Sequence, residues 1–217
     1  ELVFMTNYTF PKTSSECKPF SSHEAGGTGF LIPSISHARQ NEITFLPNIT
    51  KTGSSTWIWG TSGVVPQPQI YYHVVGVWNK EEGKVYIYVN GELKNKVDAV
   101  GDLKFPTSGC TWFCIGGDAG PTGAQLGWSG DIVLARIYDK PLVQKDIDLL
   151  WNDVNKQYVA PKSVLLDVVF NPDGTASDVS PLKNIVQTIP ASKTMTYYNK
   201  SLDRYVAWFD HAPGSVT

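Results

Sequence analysis

Apolar and polar positions alternate with a period of two along much of the chain, in short runs closed by turn-forming residues, and that rhythm predicts antiparallel β-structure. The plainest instance lies at 71–89. Tyr72–Trp78 and Val85–Val89 are rich in Val, Tyr and Ile and are joined by Asn79-Lys80-Glu81-Glu82-Gly83, which predicts a hairpin. In the second run Val85, Ile87 and Val89 share one face and Tyr86 and Tyr88 the other. Apolar or aromatic groups on both faces predict a strand inside the sheet rather than at its rim. A second turn is predicted at Asn90-Gly91, because both residues tolerate the positive φ of a type I′ turn. The period changes near 141–154, where Leu142, Ile147, Leu150 and Trp151 fall near one stripe of a helix of about three turns, entered after Pro141.

Three stretches carry a family pattern in a fixed order: YYHVVGVW at 71–78, KVYIYVNG at 84–91 and WSGDIVLARIY at 128–138. Together they resemble the laminin G-like (LamG) jelly rolls of the concanavalin A-like lectin/glucanase superfamily. The resemblance implies an all-β fold, a two-sheet antiparallel jelly-roll sandwich with one short helix near 141–154, whose concave face can hold glycans. His73 matches a strand histidine of that family and is read as structural.

The order of the pieces departs from the family. Its helix follows the last strand and closes the domain, whereas here residues 161–217 still follow. VLLDVVFNPDGTASDVSPLKN at 164–184 looks like the opening strand and loop of such a module, RYVAWFD at 204–210 like its second strand, and ELVFM at 1–5 like a strand from its interior. The strand order therefore reads as circularly permuted. One arrangement is a single LamG-like jelly roll over 1–217, with 163–217 supplying the family's N-terminal strands and 1–160 the remainder. The alternative makes 1–160 the end of one module and 163–217 the start of a second, or a segment swapped with a neighbouring chain into a homo-oligomer. Two separate fragments would each expose unpaired strand edges, which favours the single module. Either way Leu165–Phe170 is expected beside Ile132–Tyr138.

At 217 residues, 41% hydrophobic and with seven Trp, the chain has material for one sandwich or a small pair of domains. A net charge of −2 without a Lys/Arg cluster argues against nucleic acid and anionic membrane as partners. No stretch approaches the roughly 18 apolar residues of a membrane span. The chain opens at Glu1 without Met or a signal peptide and reads as a processed or trimmed product. Cys17, Cys110 and Cys114 allow at most one internal disulfide. On a strand Cys110 and Cys114 would lie about 13 Å apart, too far to bridge.

Candidate chemistry is sparse. Retaining glucanases of the resembled superfamily carry an E-x-D-x-x-E or E-x-D-x-E strand that sets two carboxyl groups about 5 Å apart, and no such pattern occurs here. Catalysis by this chain is therefore not expected. No cofactor is required, but calcium is the commonest ion of the fold, and the oxygen-rich turn 171–180 makes Asp173 and Asp178 the candidate metal ligands. For glycan binding, Trp57 and Trp59 share a strand face at period two and could form a stacking platform. Trp128 follows the loop GGDAGPTGAQLG at 116–127, whose Asp118 and Gln125 could supply hydroxyl contacts.

These readings point to a non-catalytic carbohydrate-binding or accessory module of an extracellular, periplasmic or cell-surface bacterial protein, with a glycan or polysaccharide as partner. Modules of this flavour resemble ones appended to calcineurin-like metallophosphoesterases, which makes an enzyme domain in the same full-length protein a second expected partner. The alternatives are a protein-interaction module built on a swapped oligomer and a glycoside hydrolase with an unfamiliar site.

Overall fold

The computed structural model describes residues 1–10, 16–22, 31–36, 39–51, 54–104, 113–117, 127–153, 164–184, 194–202 and 204–210. Its strands in chain order are β1 (Leu2–Thr6), β2 (Glu16–Cys17), β3 (Phe20–Ser21), β4 (Leu31–Ser36), β5 (Glu42–Lys51), β6 (Ser54–Trp57), β7 (Gly60–Thr61), β8 (Tyr71–Asn79), β9 (Lys84–Val89), β10 (Glu92–Asp98), β11 (Asp102–Leu103), β12 (Cys114–Ile115), β13 (Ser129–Tyr138), β14 (Val164–Phe170), β15 (Ala176–Asp178), β16 (Thr194–Asn199) and β17 (Arg204–Asp210). The larger sheet runs β10-β9-β8-β1-β13-β14-β15, with β17 also on β13 and β16 on β17. A smaller sheet runs β11-β5-β4-β2, with β6 and β7 on the other edge of β5. Pairing is antiparallel throughout the described residues, as the two-residue periodicity predicts.

The hairpin β8–β9 pairs Val74 with Val89 and Trp78 with Val85. At the next turn Asn90 and Gly91 adopt φ of 53° and 80°, the left-handed pair of a type I′ turn. β1 is an interior strand, with β8 on one edge and β13 on the other. The far edge of β13 is shared: β17 pairs with Ser129–Ile132 and β14 with Ala135–Tyr138. Val168 lies opposite Ala135 and Leu166 opposite Ile137, so the segment after the helix extends the sheet that begins at residue 2.

The two sheets enclose one core. Leu2, Phe4, Val74, Val85, Ile87 and Ile132 of the larger sheet meet Ile35, Ile43, Phe45 and Ile49 of the smaller. Phe45 sits directly over Gly76, where an added Cβ would come 2.2 Å from the ring; glycine is the residue that admits the aromatic here. The outer face of the larger sheet is covered at two places. Helix α1 (Gln144–Asp153) buries Ile147 and Leu150, with Leu142 just ahead of it, against Val75, Val77 and Tyr88, each side chain contributing about 1.5–3 kcal/mol. Its first turn is closed by Asp146, whose carboxylate accepts the Val143 N–H at 3.1 Å. The β16–β17 hairpin covers the second place, setting Val206 and Leu202 against Val3, Val133 and Leu134.

Charged groups between these covers are paired. The Glu1 carboxylate lies 3.0 Å from His73 Nε2 and 3.5 Å from Arg136, and accepts the Tyr138 hydroxyl. Arg136 Nε donates to Asp167 at 2.8 Å, and His73 stacks on Trp151 at 5.9 Å. His73 is thus a structural histidine. Burial works to raise the Glu1 carboxyl pKa, but the His73 hydrogen bond and the surrounding positive charge outweigh it and hold the group at about 2.

Candidate functional site

The smaller sheet presents an open cleft on its outer face, built where the chain turns into β5 and passes from β6 to β7. Ile58 packs into the core, and a Cβ on Gly60 would come 3.1 Å from Val85 Cγ1, so both positions face inward. Strand alternation then puts Trp57, Trp59 and Thr61 outward, on the same side as Glu42. The cleft has a volume of about 410 Å³, within the usual range of small-molecule sites, and is lined by Arg39, Gln40, Glu42, Trp59 and Thr61. Arg39 lies with its guanidinium carbon 4.5 Å from the Trp59 ring centroid, a cation–π contact. Glu42 Oε2 accepts the Gly63 N–H at 2.8 Å, which anchors its carboxylate at one side.

Of the residues expected to contact a glycan, Trp59 lines this cleft. Trp57 is half-buried on the same face, its Cα opposite Asn48. Trp128 does not rim a site. It is fully buried, edge-on to Phe4 at 5.0 Å and to Tyr8 at 6.2 Å, because its strand enters between the sheets just before β13. A ring without exposed surface cannot stack on a sugar. Asp118 and Gln125 lie outside the described residues.

The turn 171–180 does not fit calcium. Asp173 is exposed and accepts hydrogen bonds from the Thr175 N–H at 3.0 Å and hydroxyl at 2.7 Å, the closure of an Asx-turn. Asp178 is buried, and both of its oxygens are taken by donors. Oδ1 accepts the N–H groups of Asp167 and Ser180 at 2.9 Å, while Oδ2 accepts the Asn184 N–H at 2.8 Å, the Ser180 hydroxyl at 2.8 Å and Asn184 Nδ2 at 2.7 Å. Burial works to raise this carboxyl pKa, and the surrounding N–H groups outweigh it and hold it far below the usual range. Hydrogen atoms point where a cation's charge would have to sit. No group of three or more His, Cys, Asp or Glu side chains suited to a metal occurs among the described residues.

Sequence reasoning missed Arg39, Gln40, Glu42 and Thr61. The signal available was the polar run Arg39-Gln40-Asn41-Glu42 between two apolar strands, a turn whose neighbour across β5 is β7, the short strand that follows Trp59. What no local pattern contains is that this turn and residue 59 meet.

A protein of Bacteroides ovatus whose assignment as carbohydrate-binding is itself provisional shares the fold at a TM-score of 0.56 and 16% identity, over 95% of this chain and 50% of its own. The chain thus spans about half the length of that protein. The CBM40 of the Ruminococcus gnavus IT-sialidase, solved alone and bound to α2,3-sialyllactose, superposes at a TM-score of 0.47 and 15% identity, over 69% of this chain and 79% of the module. Likeness at such identities concerns the fold alone. No curated protein matches the sequence. The laminin G-type family model described as the concanavalin A-like lectin/glucanases superfamily matches residues 11–148, more than half of the chain, and on that match, with the two-sheet antiparallel sandwich, the protein belongs to this superfamily.

Proposed function

We propose that the chain is a non-catalytic carbohydrate-binding module whose ligand occupies the Trp59 cleft. The observation that carries this reading is the cleft's composition: an indole wall beside guanidinium, amide, carboxylate and hydroxyl groups, the mixture that a sugar's C–H surfaces and hydroxyls require. Among the described residues a single carboxylate, Glu42, lines it, where a glycosidase needs two, and one side of that carboxylate is held by a backbone N–H. A secreted or surface-exposed protein carrying this module beside an enzyme domain suits such a role; no helix among the described residues is long and apolar enough to cross a membrane.

We further read 1–217 as one permuted jelly roll. The shared far edge of β13, taken by β14 and β17 of the same chain, supports it over two fragments with open edges. The functional test is a glycan array followed by titration calorimetry with Trp59→Ala, a variant that truncates a half-buried surface ring. Hits that Trp59→Ala weakens at least tenfold, with unfolding unchanged, support the cleft. Absence of any hit, or hits indifferent to Trp59, overturns it.

A further inference from the structure

We propose that the Trp59 cleft selects glycans bearing a carboxylate, with Arg39 as the group that reads the charge; this rests on the glycan-binding reading of the same site. Three observations lead there. First, Arg39 is exposed and, among the described residues, no ion pair engages it, while its guanidinium lies against the Trp59 ring. A cation–π contact through the guanidinium carbon uses no N–H in an ion pair, and the planar fork of an arginine can take a carboxylate through two parallel hydrogen bonds. Second, the guanidinium beside the Trp59 ring sets a cation next to the indole wall, so the cleft can combine apolar contact to a sugar with a charge-assisted hydrogen bond to an acidic group.

Third, the turn that carries Arg39 is held in an unusual conformation. Gln40 and Asn41 have φ of 57° and 62°, two consecutive left-handed residues, and Gln has none of the local hydrogen bonding that makes this region tolerable for Asn. The turn nevertheless brings Arg39, Gln40 and Glu42 to one cleft wall. Glu42, the acid that would oppose an anionic ligand, lies outside ion-pair range of Arg39 and spends one oxygen on Gly63, so it is placed to accept a sugar hydroxyl rather than to neutralise the arginine. A uronic or nonulosonic acid residue fits this arrangement, its carboxylate on the Arg39 fork and its hydroxyls toward Gln40, Glu42 and Thr61.

The test uses oligosaccharides bearing uronic or nonulosonic acids, each paired with the same oligosaccharide after reduction of its carboxyl group to the alcohol, titrated into the whole chain and into Arg39→Gln, Arg39→Lys and Trp59→Ala. The expected result is binding of an acidic member at least tenfold tighter than its reduced partner. That preference should be lost in Arg39→Gln, partly kept in Arg39→Lys, and weakened as NaCl rises. Equal affinity for both partners, with Trp59→Ala weakening each, overturns the charge selection and leaves the glycan site standing. No binding of either partner across the panel overturns the charge selection, and absence of any hit on the glycan array overturns the glycan site with it.

Discussion

Replacing Asp178 by Ala separates a structural carboxylate from a metal ligand. The side chain accepts five hydrogen bonds, three of them from backbone N–H groups of Asp167, Ser180 and Asn184. Removing it strands these groups unequally. Asp167 and Ser180 are each 2% exposed, so their N–H groups cannot reach water, while Asn184 is exposed and can rehydrate. At about 1–3 kcal/mol for each of the two buried donors left unpaired, Asp178→Ala should cost roughly 2–6 kcal/mol, chiefly by loosening the turn that fastens β15 to β14. Urea unfolding of wild type and variant, each with and without millimolar calcium, measures this. The account expects a large loss in the variant and no calcium-dependent shift in either, because a ligand that binds only the folded state would raise stability as its concentration exceeds Kd. A variant within about 0.5 kcal/mol of wild type, or a calcium stabilisation that the substitution abolishes, would refute the reasoning.

Gly76→Ala should destabilise by about 1–3 kcal/mol, since the new methyl would overlap the Phe45 ring, and Phe45→Leu in the same chain should recover part of that loss in a double-mutant cycle read by denaturant unfolding. Stability should fall in acid. The Glu1 and Asp178 carboxyls are held below their ordinary pKa in the fold, so their contribution is fully present above about pH 5 and is lost as pH drops toward 2. For the deeply buried Glu1 the full effect is about 3 kcal/mol, of which chemical denaturation between pH 7 and pH 3 should read about 2 kcal/mol.

Much of the fold was legible because its signals are local. The 71–91 hairpins, the Asn90-Gly91 turn and the stripe Leu142, Ile147, Leu150 follow from side-chain period and from two residues that tolerate positive φ. The pairing of Val164–Val168 with Ala135–Tyr138, which overlaps the expected placement of Leu165–Phe170 beside Ile132–Tyr138, was legible only through the family's order of motifs, since nothing within either strand specifies its partner across the intervening helix. Of the two tryptophans expected beside loops, Trp59 lines the candidate cleft and Trp128 is buried in the core. Both tryptophans flank loops, and only the three-dimensional path decides that one faces outward from the smaller sheet while the other enters between the sheets against Phe4 and Tyr8. Asp178 misled for a related reason: an oxygen-rich turn carries the same composition whether its carboxylate binds a cation or its own backbone N–H groups.

The most direct test of glycan recognition at the Trp59 cleft is a two-dimensional amide spectrum of the folded chain, in which seven Trp residues supply seven assigned indole N–H signals, followed through titration with a glycan that binds in the array. The account predicts that the Trp59 indole shifts in a saturable way while that of Trp128, with no exposed surface, stays in place. Saturable binding that leaves Trp59 unmoved would contradict it.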